Sequence, residues 1–578
     1  MPMKPSGLVQ TRMIRARQKN GDIYVYERQT IYDPVKKYDR VLKSRLLYKI
    51  PKGKDEPVPT RPKRRKMDAV RTENESLEAV REHIGMMDII DHIGVESGID
   101  EALYRATDTG TAQKIISLSR YLLATNGQSL PGILTWQLNH PLPYADGLTE
   151  DIYHSLFVRI GRDESIQQNY FLSRAKGLGK MSAIAYDTTT ISTYSEQQVE
   201  ARYGFNKDND GLKTIKILTL YSIDTRRPIA FTKQPGNLPD VITIKNALSQ
   251  LSALGLEAAE IITDNGFHSE HNLSEMFQAG FNFITLVKTS LKWVRDEIDK
   301  HMEELSSIQT VCSFDTAIHG TSVKLMRTFS RERKYADHKS GKARGDKETF
   351  QRRVYLHIFF SLERHNADRA AFEADIVELK ELIETGASLD ELPENVRKKA
   401  EKYLHIQYRA GKATVTPNDA ACREAYRYHG YFALVSNKEK NPFECLRRYR
   451  KRELIEEFFE EGKQHMDGRR PRVWNTDTLR GRMFVQFVAL CYYEYFSDKV
   501  RQMKKSLSHT NEESLSMIKI DLDADRKLLS WLKNTPLYIQ LQWFDTVDTV
   551  AISNGLKSKR WNSETSSRDR LYLAKLGL

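Results

Sequence analysis

Between Asp68 and about Lys180, apolar residues recur three and four apart, in Ser76–Gly85 (SLEAVREHIG), Met87–Ile93 (MDIIDHI) and Ala112–Leu123 (AQKIISLSRYLL). That spacing predicts a set of amphipathic helices, punctuated by Pro131, Pro141 and Pro143. No fixed-period repeat and no helix-turn-helix stands out among them. The pattern changes at Met181. Ala183–Asp187 (AIAYD) is a short apolar run closed by a carboxylate, followed by the largely β-branched Thr188–Ile191. Lys213–Tyr221 and Pro228–Lys233 are further strand candidates. Val241–Leu254 then has helical spacing, Glu260–Asp264 reads as a strand, Ser269–Ala279 as a helix and Asn282–Lys288 as a strand.

Three meandering strands followed by alternating helix and strand predict an α/β fold, an RNase H-like mixed-sheet core flanked by helices. The alternation breaks after Lys288 for roughly 140 residues, far longer than ordinary loops, so residues 289–428 are expected to form an inserted domain. They include the strand-like Val354–Ser361 and charged helices over Ala367–Thr385 and Glu394–Tyr408. Gly430–Asn437 returns as a strand, and Asn441-Pro-Phe-Glu opens a helix expected to run through Arg452 and Glu456 to about His465. The expected organisation is a basic N-terminal segment (1–66), a helical N-terminal domain (68–180) suited to end binding, and a core split between 181–288 and 429–500. A C-terminal region (501–578) completes it.

Composition narrows the class. The 578 residues are 40% hydrophobic and 29% charged, which suits globular domains. The chain opens with polar and basic residues rather than a leader-like apolar run, and its longest apolar stretch, Met483–Phe496, is too short to span a bilayer. Four cysteines, Cys312, Cys422, Cys445 and Cys491, lie far apart and suit a reducing cytoplasm. The net charge is +13, and residues 1–70 hold 19 Lys and Arg against 7 Asp and Glu, nearly the whole excess. A solvated basic surface is one reading of that segment. Its concentration, ending in Lys63, Arg64, Arg65 and Lys66, favours contacts to DNA phosphates. Short strands are expected within it at Asp22–Glu27 and Val41–Ile50.

Asp187 and Asp264 are each expected at the C-terminal end of a buried strand, where a carboxylate is costly unless exposed or bound to a cation. Either alone also fits a helix N-cap or a turn. Carboxylates at neighbouring strand ends converge, and such oxygen ligands hold Mg²⁺ or Mn²⁺. In Tyr449–Lys463, a spacing of about 100° per residue puts Tyr449, Arg452, Glu456 and Lys463 on roughly one 60° arc of a helix. Leu454, Ile455 and Phe458 point away toward a core. An ordinary charged surface helix would look much the same.

The helix resembles the Y-x2-R-x3-E-x6-K signature of IS4-type DDE transposases at all four positions, Tyr449, Arg452, Glu456 and Lys463. The contexts Tyr186-Asp-Thr-Thr-Thr and Ile262-Thr-Asp-Asn-Gly-Phe-His-Ser are similar too, and Asn20-Gly-Asp-Ile-Tyr-Val-Tyr looks more like the IS1634 branch. The resemblance covers about residues 20–500. It implies that Asp187, Asp264 and Glu456 bind two Mg²⁺ ions, with Mn²⁺ as a substitute, and cleave and transfer DNA strands. Tyr449, Arg452 and Lys463 would contact phosphates of the transposon end. The implied partners are double-stranded DNA, as terminal inverted repeats and target, and a second copy of the chain; a nucleoid-associated prokaryotic enzyme is expected, with no membrane.

Trp293 is a candidate for stacking on an unpaired base, against packing at a domain junction. His268, Ser195 and Glu196 have weaker claims, His268 being expected to cap a turn or face solvent. Two rival readings are a DNA-end-binding derivative that does not cut and an RNase H-like nuclease without strand transfer.

Overall fold

The computed structural model describes residues 9–33, 38–54, 56–58, 78–83, 85–179, 181–204, 206, 210–256, 259–333, 343–386, 388–409, 412–465, 473–513, 519–553, 558–563 and 565–578. The chain divides into two compact bodies, residues 1–80 with 551–561 and residues 81–550 with 562–578.

In the first body, β1 (Val9–Arg17), β2 (Ile23–Asp33) and β3 (Tyr38–Ile50) form an antiparallel meander. β3 contains the expected strand Val41–Ile50, and β2 overlaps the expected Asp22–Glu27, starting one residue later. β1, VQTRMIRAR, mixes basic and apolar residues without strict alternation, so the sequence pattern does not single it out.

The second body is mixed α/β, built on a nine-stranded sheet. Its strands are β4 (Ala183–Thr193), β5 (Lys213–Ser222), β6 (Arg227–Pro235), β7 (Glu260–Thr263) and β8 (Asn282–Val287). They are joined by β9 (Val311–Cys312), β10 (Asp315–Glu332), β11 (Lys347–Ser361) and β12 (Tyr431–Ser436). The spatial order is β9-β10-β11-β12-β8-β7-β4-β5-β6. β4, β7 and β8 run parallel, and every other neighbouring pair is antiparallel. β4 is buried at ten of eleven positions, as a strand covered on both faces must be.

Successive residues of β4 report the two faces. Tyr186 Oη donates to Thr243 and Thr188 Oγ1 to Asp240, both on helix Asp240–Ala253. Asp187 and Thr189 point the other way, Asp187 toward Arg452 and Thr189 toward helix Glu453–His465. On β5, Lys216 reaches Asp240 while Tyr221 reaches Glu494 of the long helix Thr476–Glu513.

Residues 289–428 divide between two arrangements. β9, β10 and β11 extend the same sheet through β12. Helices Leu362–Glu384 and Glu394–Tyr403 and the hairpin Leu404–Arg409/Lys412–Pro417 close a small core of their own around Ile376, Leu379, Ile383, Ala400, Leu404 and Val415. The helices of 85–177 share one continuous core with the sheet, including Leu118, Phe171 and Phe484. Among the described residues no helix is long and apolar enough to cross a membrane, and all four cysteines are buried and unpaired.

Candidate active site

Parallel pairing brings the two aspartates level. Ala183, Ile184 and Ala185 of β4 face Glu260, Ile261 and Ile262 of β7, so two residues further on Asp187 stands beside Asp264. Strand β7 ends at Thr263, leaving Asp264 to cap the short turn Asn265–Phe267 by accepting from Asn265 N at 2.7 Å. Asp187 is not at a strand end as expected. β4 continues to Thr193 because β5 still pairs with it, and only its parallel neighbour has stopped. Asp187 is consequently buried, 8% exposed, and accepts from Thr188 N at 2.8 Å.

The single helix expected from Asn441 to His465 is two helices, Pro442–Arg450 and Glu453–His465. Between them the backbone tightens to i→i+3 bonds, Arg452 N to Tyr449 O at 2.9 Å and Ile455 N to Arg452 O at 2.9 Å. Asn441 caps the first helix through Phe443 N and Glu444 N.

Arg452, at the break, turns into the sheet. Its Nη1 donates to Asp187 Oδ2 at 2.9 Å, and its Nη2 donates to Glu456 Oε1 at 2.5 Å and lies 4.0 Å from Asp264 Oδ2. Asp264 and Glu456 therefore share one nitrogen, and the separation of those two oxygens cannot exceed the two distances laid end to end. Tyr449 Oη donates to Asp264 Oδ1 at 3.2 Å. Three carboxylates distant in the chain thus meet around one guanidinium. Burial opposes the charge on Arg452, but the carboxylates of Asp187, Asp264 and Glu456 outweigh it and raise its pKa. Burial, reinforced by the Asp264 carboxylate, pushes the Tyr449 phenol up, so it stays a donor at neutral pH. Exposure rises from Asp187 through Asp264 to Glu456, whose side chains are 12%, 37% and 54% exposed, so the site opens on the Glu456 side.

The family model described as "Transposase DDE domain" matches residues 178–492, more than half of the chain, and spans all of these residues. The chain belongs to that transposase family. No curated protein matches it. Among solved structures, a cryo-EM structure of the piggyBac transposase synaptic complex with hairpin DNA is similar at 10% identity and a TM-score of 0.35, covering 80% of this chain and 78% of that one.

Within the DDE domain, the donor set of three carboxylates with no thiolate or imidazole suits a hard divalent cation such as Mg²⁺ or Mn²⁺. In this arrangement their charge is met by Arg452. Among the described residues no three His, Cys, Asp or Glu side chains close into a metal-ligating cluster.

Lys463 sits about 10 Å further along the helix from Glu456, at an apolar cleft lined by Thr189, Ile191, Phe458, Phe459 and Phe487. Trp293, on helix Lys292–His301, carries the Arg327 guanidinium 4.2 Å from its ring centroid, and Arg327 also pairs with Glu270 at 2.6 Å. The His268 backbone closes the turn after Asp264. Its ring does not face solvent: Nε2 is buried without a partner, and burial, with Arg327 and Lys288 nearby, lowers its pKa to about 4. Ser195 Oγ donates to Trp474 O at 2.5 Å. Lys63, Arg64, Arg65 and Lys66 lie outside the described residues.

Sequence reasoning missed Asp240 and Lys216. Asp240 Oδ1 accepts from Thr188 Oγ1 at 2.8 Å and from Lys216 Nζ at 2.5 Å, tying the strand that holds Asp187 to the helix behind it. The only local signal was Pro239-Asp240 opening a helix.

Proposed function

We propose that this chain is an IS4-type transposase, nearest the IS1634 branch, that binds insertion-sequence ends and carries out metal-dependent strand cleavage and strand transfer in cut-and-paste transposition. The observation that carries the reading is the convergence of Asp187, Asp264 and Glu456 on one side chain, Arg452. The strand sequence β6-β5-β4-β7-β8, with β4, β7 and β8 parallel, supports an RNase H-like core within the larger sheet.

Asp187, Asp264 and Glu456 are the residues that would hold two Mg²⁺ or Mn²⁺ ions. Bound there, such ions would supply a nucleophile at neutral pH and a counter-charge for the leaving oxygen. Arg452 and Tyr449 line the same site with a fork of donors and a protonated phenol, which suit phosphate oxygens of the cleaved end. Lys463 adds a point charge further along the same helix, Lys63 to Lys66 add phosphate contacts, and Trp293 is a candidate base-stacking residue. Two ends must be handled together, so the working form is a homodimer, with residues 501–578 as one candidate interface.

Purified protein, DNA carrying the ends that flank its reading frame, and Mg²⁺ test the proposal. Cleaved and joined products support it. Binding without cutting would instead make the chain an end-binding derivative, and cutting without joining would make it a nuclease.

A further inference from the structure

The backbone ladder does not reach the two aspartates. The paired register between β4 and β7 ends at Ala185 and Ile262, two residues short of Asp187 and of Asp264. What spans the remaining gap is a set of buried polar contacts on the opposite face of the sheet. Alternation along β4 turns Tyr186 and Thr188, on either side of Asp187, to that face. Both are anchored to the first turn of helix Asp240–Ala253. Tyr186 Oη donates to Thr243 Oγ1 at 2.6 Å, Thr243 Oγ1 donates to Asp240 O at 2.7 Å, and Thr188 Oγ1 donates to Asp240 Oδ1 at 2.8 Å. Lys216 of β5, only 6% exposed, fixes the same carboxylate, with Nζ donating to Asp240 Oδ1 at 2.5 Å and to Leu238 O at 2.6 Å.

The same helix turn also grips the segment that follows Asp264. A Cβ at Gly266, in the turn that Asp264 caps, would lie 3.3 Å from Asp240 Oδ2, so the second oxygen of Asp240 rests against that turn. Asn272, buried on helix Glu270–Gln278, donates from Nδ2 to Val241 O and to Phe267 O, each at 2.7 Å. The Phe267 ring meets Tyr186 edge-on, with centroids 4.8 Å apart. One carboxylate and one amide thus connect the neighbours of Asp187 to the turn after Asp264.

We propose that the first turn of helix Asp240–Ala253 is a template that sets the spacing of the Asp187 and Asp264 carboxylates, with Asp240 and Asn272 as positioning residues for the ions those carboxylates hold. Ligands of a metal site must be fixed to within about 0.5 Å by groups behind them, and here the sheet ladder stops before it can do so. The inference rests on the reading of Asp187 and Asp264 as metal ligands.

The test uses the full chain and two measurements. Mn²⁺ is titrated and followed by electron paramagnetic resonance, and hydrogen exchange of residues 264–268 is followed without metal by mass spectrometry. Thr188→Val keeps the β-branched shape and removes only the hydroxyl. It is expected to weaken Mn²⁺ binding on the order of 10-fold and to speed exchange in the turn after Asp264, a separate segment, by about 2- to 10-fold. Asp240→Ala should do the same from the helix side, and Thr188→Ser, which retains the hydroxyl, should match the wild type. Gly161→Ala, strained against Asp477 O on another helix pair, separates positioning from stability: it should lower the melting temperature and leave both measurements unchanged. Where Asp264→Asn weakens Mn²⁺ binding, unchanged affinity in Thr188→Val and Asp240→Ala overturns the proposal. If Asp264→Asn leaves Mn²⁺ binding at wild-type strength, the metal reading of the carboxylates fails and the exchange measurement decides alone. Faster exchange at 264–268 in Thr188→Val then keeps the template, and unchanged exchange removes it.

Discussion

Arg452 Nη1 donates to Asp187 Oδ2 at 2.9 Å, and the two side chains are only 11% and 12% exposed. A buried ion pair is weak evidence of net stabilisation, but removing one partner strands the other. Arg452→Met would leave Asp187, Asp264 and Glu456 facing one another without a cation. Breaking such a pair costs about 3–5 kcal/mol. A divalent cation held among those carboxylates should recover part of the loss. Thermal melts with and without Mg²⁺ check this, and a deficit indifferent to Mg²⁺ would mean that only packing was lost.

The three carboxylates should be indispensable to strand cleavage. Alanine is a poor probe at Asp187, because it would strand Arg452 and confound chemistry with folding. Asp187→Asn, Asp264→Asn and Glu456→Gln keep the shape and much of the hydrogen bonding. Each is expected to lower cleavage of end-containing DNA on the order of 10³-fold or more, with end affinity changed little. Gel assays of cutting and binding on the same preparations decide it. Normal cutting by any one variant removes that residue from the site.

How much of this was legible in the sequence depends on whether a feature was local. β4, β5, β7 and β8 were legible because their runs are apolar, short and bounded by turns or helices. β10 was not: DTAIHGTSVKLMRTFSRE is half exposed and reads as neither strand nor helix until β11 pairs with it over fifteen residues. The turn at Lys451-Arg452 was hidden for a different reason. Lys and Arg are both good helix formers, and the break accompanies a tertiary demand, the seating of Arg452 between Asp187 and Glu456. Asp240 and Lys216 were invisible because their contact joins a helix to the back of a strand.

Helices Glu150–Arg162 and Thr476–Glu513 pack backbone against backbone. On helix Glu150–Arg162, a Cβ at Gly161 would fall inside contact distance of Asp477 O, and one at Gly481 inside that of Phe157 O. Neither backbone can yield without separating the helices. Gly161→Ala or Gly481→Ala is expected to destabilise by about 1–3 kcal/mol. The double variant should lose less than the sum, since the first methyl already opens the shared crossing. Urea titrations of the three proteins measure this, and full additivity would show that the two glycines act independently.

Glu494 gives the fold a pH dependence whose sign follows from its surroundings. It lies on helix Thr476–Glu513, almost wholly buried, accepting from Tyr221 Oη at 2.9 Å. Burial raises its pKa from 4.5 to about 7; the Tyr221 hydrogen bond and the charges of Arg227 and Arg501 only partly oppose this, and Glu461 adds to it. The folded state therefore holds the proton more tightly than the unfolded chain. Stability from this group is fully present below about pH 4.5 and is lost as pH rises through about 7. Glu494→Gln keeps an oxygen for Tyr221 and never ionises. It should match the wild type near pH 4.5 and exceed it by about 1–3 kcal/mol at pH 8. Denaturant melts at the two pH values test the sign: a variant less stable than wild type at pH 8 would mean that the ionised carboxylate is held by Arg227 and Arg501 more firmly than burial opposes it.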